Sequence, residues 1–233
     1  MIKRFTVLLL LAGIGAIFAS LLLGYTPDSE LNLTGRYYAD HTAQDIGAAN
    51  IVTAIIVTYR GLDTLGEVTV LFLTAAIVGL VLVRSRQPGK AQPRNKPASG
   101  ELLITGSRLL VPLILLLGVY VFVNGHLTPG GGFQGGAILA SAILLLLLTD
   151  PLRRFSHRLI STIESISGLF FVLIGVLGIL LAGGFLDNRI LPTGTLGELF
   201  SAGAIPILYS FIGLKVGAEF SSMLINLSEA EEP

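Results

Sequence analysis

Residues 63–83 read DTLGEVTVLFLTAAIVGLVLV, and this stretch decides the fold class. Its apolar part is long enough to cross about 30 Å of hydrocarbon as a helix. Asp63 and Glu67 are four residues apart, so a helix places both carboxylates on one face. A carboxylate at the centre of a bilayer helix costs roughly 2.5–3.5 kcal/mol, and less near the helix ends. The pair is therefore a candidate for moving ions or for binding a partner.

The composition of the whole chain indicates an integral membrane protein. Of 233 residues, 52% are hydrophobic and 13% are charged, and the mean hydropathy is +0.80; soluble domains carry about 25% charged residues. The formal net charge is zero, so nothing suggests a nucleic-acid partner. The absence of cysteine excludes disulfides, thiolate metal sites and Cys-bound iron–sulfur clusters. No water-facing stretch could form a separate catalytic domain, so we expect neither enzymatic activity nor a cofactor.

The hydropathy pattern predicts an all-α membrane protein with about six transmembrane helices. The candidate spans are residues 4–24, 63–84, 107–125, 134–149, 159–183 and 197–220. Residues 45–59 are also apolar but are interrupted by Asn50, Thr53 and Thr58, which predicts a short interfacial or re-entrant helix. The apolar run 5–23 exceeds a signal-peptide core of roughly 7–15 residues, so we interpret it as a retained helix.

Basic residues predict the orientation in the membrane. If residues 45–59 do not cross, then Lys3-Arg4, the linker 85–100 and the turn 153–158 all lie on one side. The positive-inside rule makes that side the cytoplasm, so we expect both termini there and a protein that crosses a cell membrane several times.

The linker 85–100 (SRQPGKAQPRNKPASG) is rich in Pro, basic and small residues and has no apolar periodicity. It divides the chain into a predicted two-span unit over residues 1–84 and a four-span unit over residues 101–228. An acidic tail follows at residues 229–233.

Polar side chains cluster where the short helix meets the second span. They are Asn50, Thr53, Arg60, Asp63, Thr64 and Glu67. Two carboxylates with amide or hydroxyl oxygens suit a hard cation such as Na⁺, bound transiently, or a shared proton. Alternatively, Arg60 neutralises one carboxylate, and Asp63 near the helix start serves the helix dipole. Glu67 lies a turn deeper, so capping explains it less well.

A glycine-rich hairpin separates the third and fourth spans. Its candidate residues are His126, Pro129, Gly130, Gly131, Gly132, Phe133 and Gln134. Proline and successive glycines cannot continue a helix and leave backbone groups free. Such backbone lies in a tight turn outside the membrane, or lines a wet cavity within it. No Lys-Ser/Thr follows, which argues against phosphate binding.

Lys215 and Glu219 form a second i,i+4 pair, in the last predicted span. Opposite charges at this spacing are expected to pair; alternatively, Lys215 lies near the cytoplasmic end and extends its amine to the interface. Glu164 and Glu198 are interpreted as interfacial, and His126 as structural at a span end.

Two of these stretches resemble a known family. Residues 50–67 (NIVTAIIVTYRGLDTLGE) resemble the C-terminal segment of the large A subunit of Mrp-type Na⁺/H⁺ antiporters, which is a small separate subunit in archaeal membrane-bound hydrogenases. Residues 129–136 (PGGGFQGG), with their surrounding spans, look like the B subunit, MrpB or MnhB. The resemblance covers roughly residues 1–84 and 101–228. It departs at Thr58, where the family usually has an acidic residue.

The resemblance implies a non-catalytic subunit of a multisubunit complex related to the membrane arm of complex I. Its partners would be antiporter-like and small membrane subunits in the lipid bilayer, with Na⁺ and H⁺ as the transported ions. Asp63 and Glu67 would lie on the ion or proton path, and the hairpin would shape that path or a subunit contact. Three functions stay open: a cation/proton antiporter, a redox-driven ion pump resembling a membrane-bound hydrogenase, or a scaffold.

Overall fold

A computed structural model describes residues 2–25, 30–85, 99–150 and 153–230. Its α-helices in chain order are α1 (Ile2–Gly24), α2 (Leu33–Asp45), α3 (Ile51–Ala54), α4 (Gly61–Ser85), α5 (Glu101–Val123), α6 (Gly132–Thr149), α7 (His157–Leu181) and α8 (Ile205–Ala230). A π-helical turn, Ile55–Tyr59, follows α3, and a 3₁₀ turn, Asn188–Ile190, precedes α8.

The prediction of an all-α membrane protein with six spans is confirmed. Six helices in the described ranges are long and apolar enough to cross a membrane, namely α1 and α4 to α8. The predicted short helix is also present, as α3 and the π-helical turn. Together these two are too short to span a bilayer.

The chain forms two compact units, Met1–Tyr37 and Tyr38–Pro233. All the candidate site residues belong to the second unit. The predicted division at the linker 85–100 stays a prediction, because residues 86–98 and 231–233 lie outside the described part of the chain.

Several helix boundaries differ from the sequence-based expectation; α5, for example, begins at Glu101 rather than residue 107. The stretch 25–44, which lies outside every predicted span, contains most of the polar helix α2, whose first turn is capped by the Asn32 side chain accepting from Gly35 N at 2.7 Å. The last span starts at Ile205 rather than residue 197, because positive φ angles at Gly197 and Ala202 keep the preceding segment in turns. It then continues to Ala230, since no glycine or proline interrupts its polar end.

Helix α8 occupies the centre of the second unit and packs against α4, α5, α6 and α7. Glycines allow these helices to approach closely. A Cβ atom added at Gly135 would lie 2.7 Å from the carbonyl oxygen of Gly118, and one at Gly136 would lie 2.7 Å from that of Gly213. Side chains on these faces would therefore separate the helices.

Candidate functional site

The short helix is bound to the glycine-rich hairpin through its first residues. Asn50 caps α3 and donates from Nδ2 to the carbonyl oxygens of Gly125 and Thr128, both at 2.9 Å. The Thr53 hydroxyl donates to the same Gly125 oxygen at 2.6 Å. Asn50 N also donates to the carbonyl of His126 at 3.0 Å. The accepting carbonyls lie in the turn that follows α5, where no continuing helix supplies donors to them.

Tyr209 joins α8 to this contact. Its hydroxyl donates to Thr53 Oγ1 at 3.0 Å, and the side chain is 1% exposed. A Cβ atom at Gly125 would lie 2.6 Å from the Tyr209 ring, so glycine is required for this approach. Nothing in the local sequence singled out Tyr209, because its partners come from two distant segments. Buried tyrosine hydroxyls usually form a hydrogen bond, and this general rule accounts for the bond from Tyr209 to Thr53.

The hairpin itself presents both buried and exposed groups. Gly130 and Gly131 have φ values of 145° and 153°, and α6 begins at Gly132. Gly131 and Gly132 are buried and Phe133 is half-buried, while Pro129 and Gln134 are exposed. One side of the turn thus packs inside the chain, and the other remains available on its surface.

His126 lies within this hairpin and is fully buried. Its Nε2 is 3.4 Å from the carbonyl oxygen of Glu198. Burial lowers the pKa of His126, and backbone carbonyls including that of Glu198 oppose the change only partly. The imidazole is therefore kept neutral, consistent with a structural histidine.

The break between the π-helical turn and α4 is stabilised locally. Thr64 is buried, and its hydroxyl donates to the carbonyl of Ile56. Arg60 forms an ion pair with Asp63, and both side chains are more than half exposed. Thus Thr64 serves the helix break, and Arg60 neutralises one of the two predicted carboxylates.

Glu67 lies one turn further along α4 and is exposed in the isolated chain. Among the described residues it has no ion-pair partner. Nor do the described ranges contain a cluster of three or more His, Cys, Asp or Glu side chains able to hold a metal ion. An exposed carboxylate on a membrane helix requires either water or a neighbouring protein.

Lys215 and Glu219 form the predicted ion pair, with Lys215 Nζ 2.7 Å from Glu219 Oε1. The two side chains are 9% and 0% exposed. The sequence suggested that Lys215 lies near the end of its helix, but the structure places it elsewhere. It is the eleventh of the 26 residues of α8, because α8 begins and ends later than predicted. Extension of its amine to the interface is therefore not the explanation for this charge.

A groove of about 350 Å³ opens beside Lys215, between α4, α7 and α8. Its wall includes Phe72 of α4 and Glu164 and Gly168 of α7. Lys215 Nζ lies 5.0 Å from the centroid of the Phe72 ring, an arrangement in which the ring face attracts the ammonium. Glu164 was interpreted as interfacial from the sequence. Its proximity to Lys215 comes from the packing of α7 against α8, which the sequence does not show.

Comparison with known proteins identifies the family. Residues 102–222 match the model described as "Domain related to MnhB subunit of Na+/H+ antiporter", which is more than half of the chain. The chain belongs to the MnhB family. Residues 2–96 match a second model, MbhE, which describes one of the subunits of MBH. The bonds from Asn50 and Thr53 to Gly125 therefore connect the two matched regions.

Relatives of this MnhB-family chain include an uncharacterized protein of Methanocaldococcus jannaschii, which is 32% identical over an alignment of 204 residues, with coverage of 77% of this chain and 77% of that one. Among solved structures, a chain of the membrane-bound sulfane sulfur reductase, an archaeal respiratory membrane complex, is similar with a TM-score of 0.81 and 40% identity, covering 97% of this chain and 98% of that one. A chain of the Mrp complex from Dietzia sp. DQ12-45-1b has a TM-score of 0.76 and 29% identity, covering 97% of this chain and 26% of that one. The resemblance to Mrp-type and membrane-bound hydrogenase subunits is thus confirmed, and the chain is an MnhB-like, multi-pass membrane subunit.

Proposed function

We propose that this chain works as a non-catalytic subunit of a multisubunit cation/proton antiporter, exchanging Na⁺ for H⁺ together with antiporter-like and small membrane subunits. The observation that carries the proposal is Glu67, an exposed carboxylate without an ion-pair partner among the described residues, on a membrane-spanning helix. Lipid does not solvate a carboxylate, so a neighbouring subunit or a water-filled path must face it.

The proposed path includes Asp63 as well as Glu67. The ion pair with Arg60 neutralises the charge of Asp63, and it leaves Glu67 as the carboxylate that exchanges a proton or transiently binds Na⁺. Asn50 and Thr53 support this arrangement by fixing the helix break onto the hairpin. Pro129 and Gln134, exposed on the hairpin, are assigned to a subunit contact.

The test uses inverted membrane vesicles that contain the complete complex. A pH-sensitive dye reports proton release on addition of Na⁺. Glu67→Gln is expected to abolish exchange while the complex still co-purifies through a tag on this chain. Glu101→Gln, which removes an exposed carboxylate at the start of α5, is the matched control and should exchange normally. Normal exchange by Glu67→Gln would contradict the assigned role.

A second function is favoured by the similarity to the chain of the archaeal respiratory complex, because that similarity covers nearly the full length of both chains. In this alternative, the same ion path is driven by electron transfer in other subunits. Mass spectrometry of the purified complex distinguishes the two. Antiporter-like and small subunits alone indicate an exchanger, whereas a co-purifying iron–sulfur or nickel–iron protein indicates a redox-driven pump.

Two further results would narrow the proposal. If the double variant Asp63→Asn/Glu67→Gln transports normally but assembles poorly, the carboxylates serve only as a scaffold. The orientation with both termini in the cytoplasm is tested by labelling single cysteines placed at residues 3 and 230, which the cysteine-free chain allows without background.

A further inference from the structure

Three ionisable side chains are associated with the groove between α4, α7 and α8: Glu164 and Lys215 line it, and Glu219 is hydrogen-bonded to Lys215. Lys215 is the eleventh of 26 residues in α8, and its neighbours Phe72 and Gly168 are each the twelfth of 25 residues, in α4 and α7. A Cβ atom at Gly168 would lie 3.6 Å from Lys215 Nζ. The ammonium group is therefore near the centre of the bilayer, where ionisable residues are rare and usually functional.

The charges of this cluster do not balance. Glu219 accepts a hydrogen bond from Lys215, and Glu164 is close enough to interact electrostatically with Glu219. Two carboxylates and one ammonium carry a total charge of −1. Among the described residues that line the groove, Lys215 is the basic one, and α4 adds only the hydroxyl of Thr69. An uncompensated negative charge in the membrane interior is unfavourable.

The second carboxylate oxygen of Glu219 gives independent evidence for an additional bound species. Glu219 is 0% exposed, and Oε2 has no hydrogen-bond partner, although Oε1 is bonded to Lys215. Buried oxygens without a partner are rare in folded proteins. It belongs to the carboxylate that is hydrogen-bonded to Lys215, and Lys215 forms part of the groove wall.

We propose that Glu164, Lys215 and Glu219 form a proton-holding site at the centre of the membrane, with the groove between α4, α7 and α8 as its access route. In the loaded state the site contains one ammonium, one carboxylate and one carboxylic acid, and its charge is zero. Release of the proton to the groove leaves two carboxylates and a charge of −1. The proton belongs to the pair of carboxyl groups rather than to one of them. Lys215 is a positioning residue, because it is hydrogen-bonded to Glu219 and itself lines the groove.

This inference rests on the proposed function, because it adds a proton site to an ion-exchanging subunit, but it is measured without transport. Infrared difference spectra are recorded on the purified complex in liposomes, between acid and alkaline pH. The wild type is expected to show the carbonyl-stretch band of a protonated carboxylic acid. Glu164→Gln and Glu219→Gln should each lose that band, and Glu198→Gln, which changes an exposed loop carboxylate, should retain it. Glu164 is only partly buried, so its variant serves if Glu219→Gln fails to fold.

Other outcomes would overturn the proposal. A wild-type spectrum without the band, or one unchanged in both glutamine variants, excludes a shared proton. Loss of the band when Na⁺ is added at constant pH would make this a cation site instead. The proton site and the proposed function can fail separately. If the wild type shows the band but no Na⁺-dependent exchange, the proposed function is wrong and the proton site stands. If the wild type shows exchange that Glu67→Gln abolishes, but no band, the proton site is wrong and the proposed function stands.

Discussion

Helices α4 and α8 each carry an i,i+4 pair of ionisable residues, and the two pairs differ in charge and in burial. Asp63 and Glu67 on α4 have like charges and are exposed in the isolated chain. Lys215 and Glu219 on α8 have opposite charges and are buried, with their charged groups 2.7 Å apart. The α8 pair neutralises itself within the chain. The α4 pair is neutralised at Asp63 alone, which leaves Glu67 for a partner or an ion.

The comparison shows that spacing does not determine a pair's role. In each helix the two residues of the pair lie on the same face. The face of α8 that carries Lys215 and Glu219 packs toward α4 and α7, whereas the face of α4 that carries Asp63 and Glu67 is exposed. An inward pair should affect the stability of the chain. An outward pair should affect assembly and transport instead. The following predictions test that division, from the largest expected effect to the smallest.

Breaking the inward pair should have the largest effect. Lys215→Met leaves the Glu219 carboxylate buried without its cation, and we expect the free energy of unfolding to fall by about 3–5 kcal/mol. Denaturant unfolding in mixed micelles measures it. The double variant Lys215→Met/Glu219→Gln, which removes both charges, should recover much of the loss. If the two single changes were additive in the double variant, the pair would not be coupled.

Breaking the contact between the short helix and the hairpin should have an intermediate effect. Asn50→Ala removes an N-cap, leaves the Thr128 carbonyl without its Asn50 donor and leaves Thr53 as the side-chain donor to the Gly125 carbonyl, so we expect a loss of about 1–3 kcal/mol. Asn32→Ala is the matched control, because Asn32 also accepts from a backbone N–H at a helix start but is exposed. It should cost about 1 kcal/mol or less. Equal losses in the two variants would show that the bonds to Gly125 and Thr128 add nothing beyond capping.

Removing the outward pair should have the smallest effect on stability. Asp63→Asn/Glu67→Gln changes exposed side chains, so the free energy of unfolding of the isolated chain should stay within about 0.5 kcal/mol. The same micelle unfolding measurement checks this. A loss comparable to that of Lys215→Met would mean that α4 depends on its carboxylates for folding, and the distinction between the two pairs would be wrong.

Much of the fold follows from hydropathy, because a helix that crosses lipid must show a long apolar run. The six spans and the short helix before α4 were predicted on that basis and are present. The start of α8 was not, because residues 197–203 are apolar enough to extend the run although their backbone turns. That error placed Lys215 toward a helix end, which left a pair with Glu219 and extension to the interface as open alternatives.

The candidate site was predictable in parts but not as a whole. Asn50, Thr53 and the hairpin glycines were each chosen for their polarity or backbone freedom. The sequence did not indicate that Asn50 binds the Gly125 carbonyl, 75 residues away. Tyr209, which completes the contact through Thr53, had no local signal at all. Their roles in transport remain predictions.

The sequence by itself determined that this is a six-span membrane protein with few charges, and it singled out the two charged pairs by spacing. The tertiary structure decided which pair is buried, which carbonyls the short helix holds, and that Glu164 lies beside Lys215. The physical reason is that hydropathy and periodicity are local quantities. The rotation of each helix about its axis is set by packing against neighbours, here by the glycine contacts of α8 with α6.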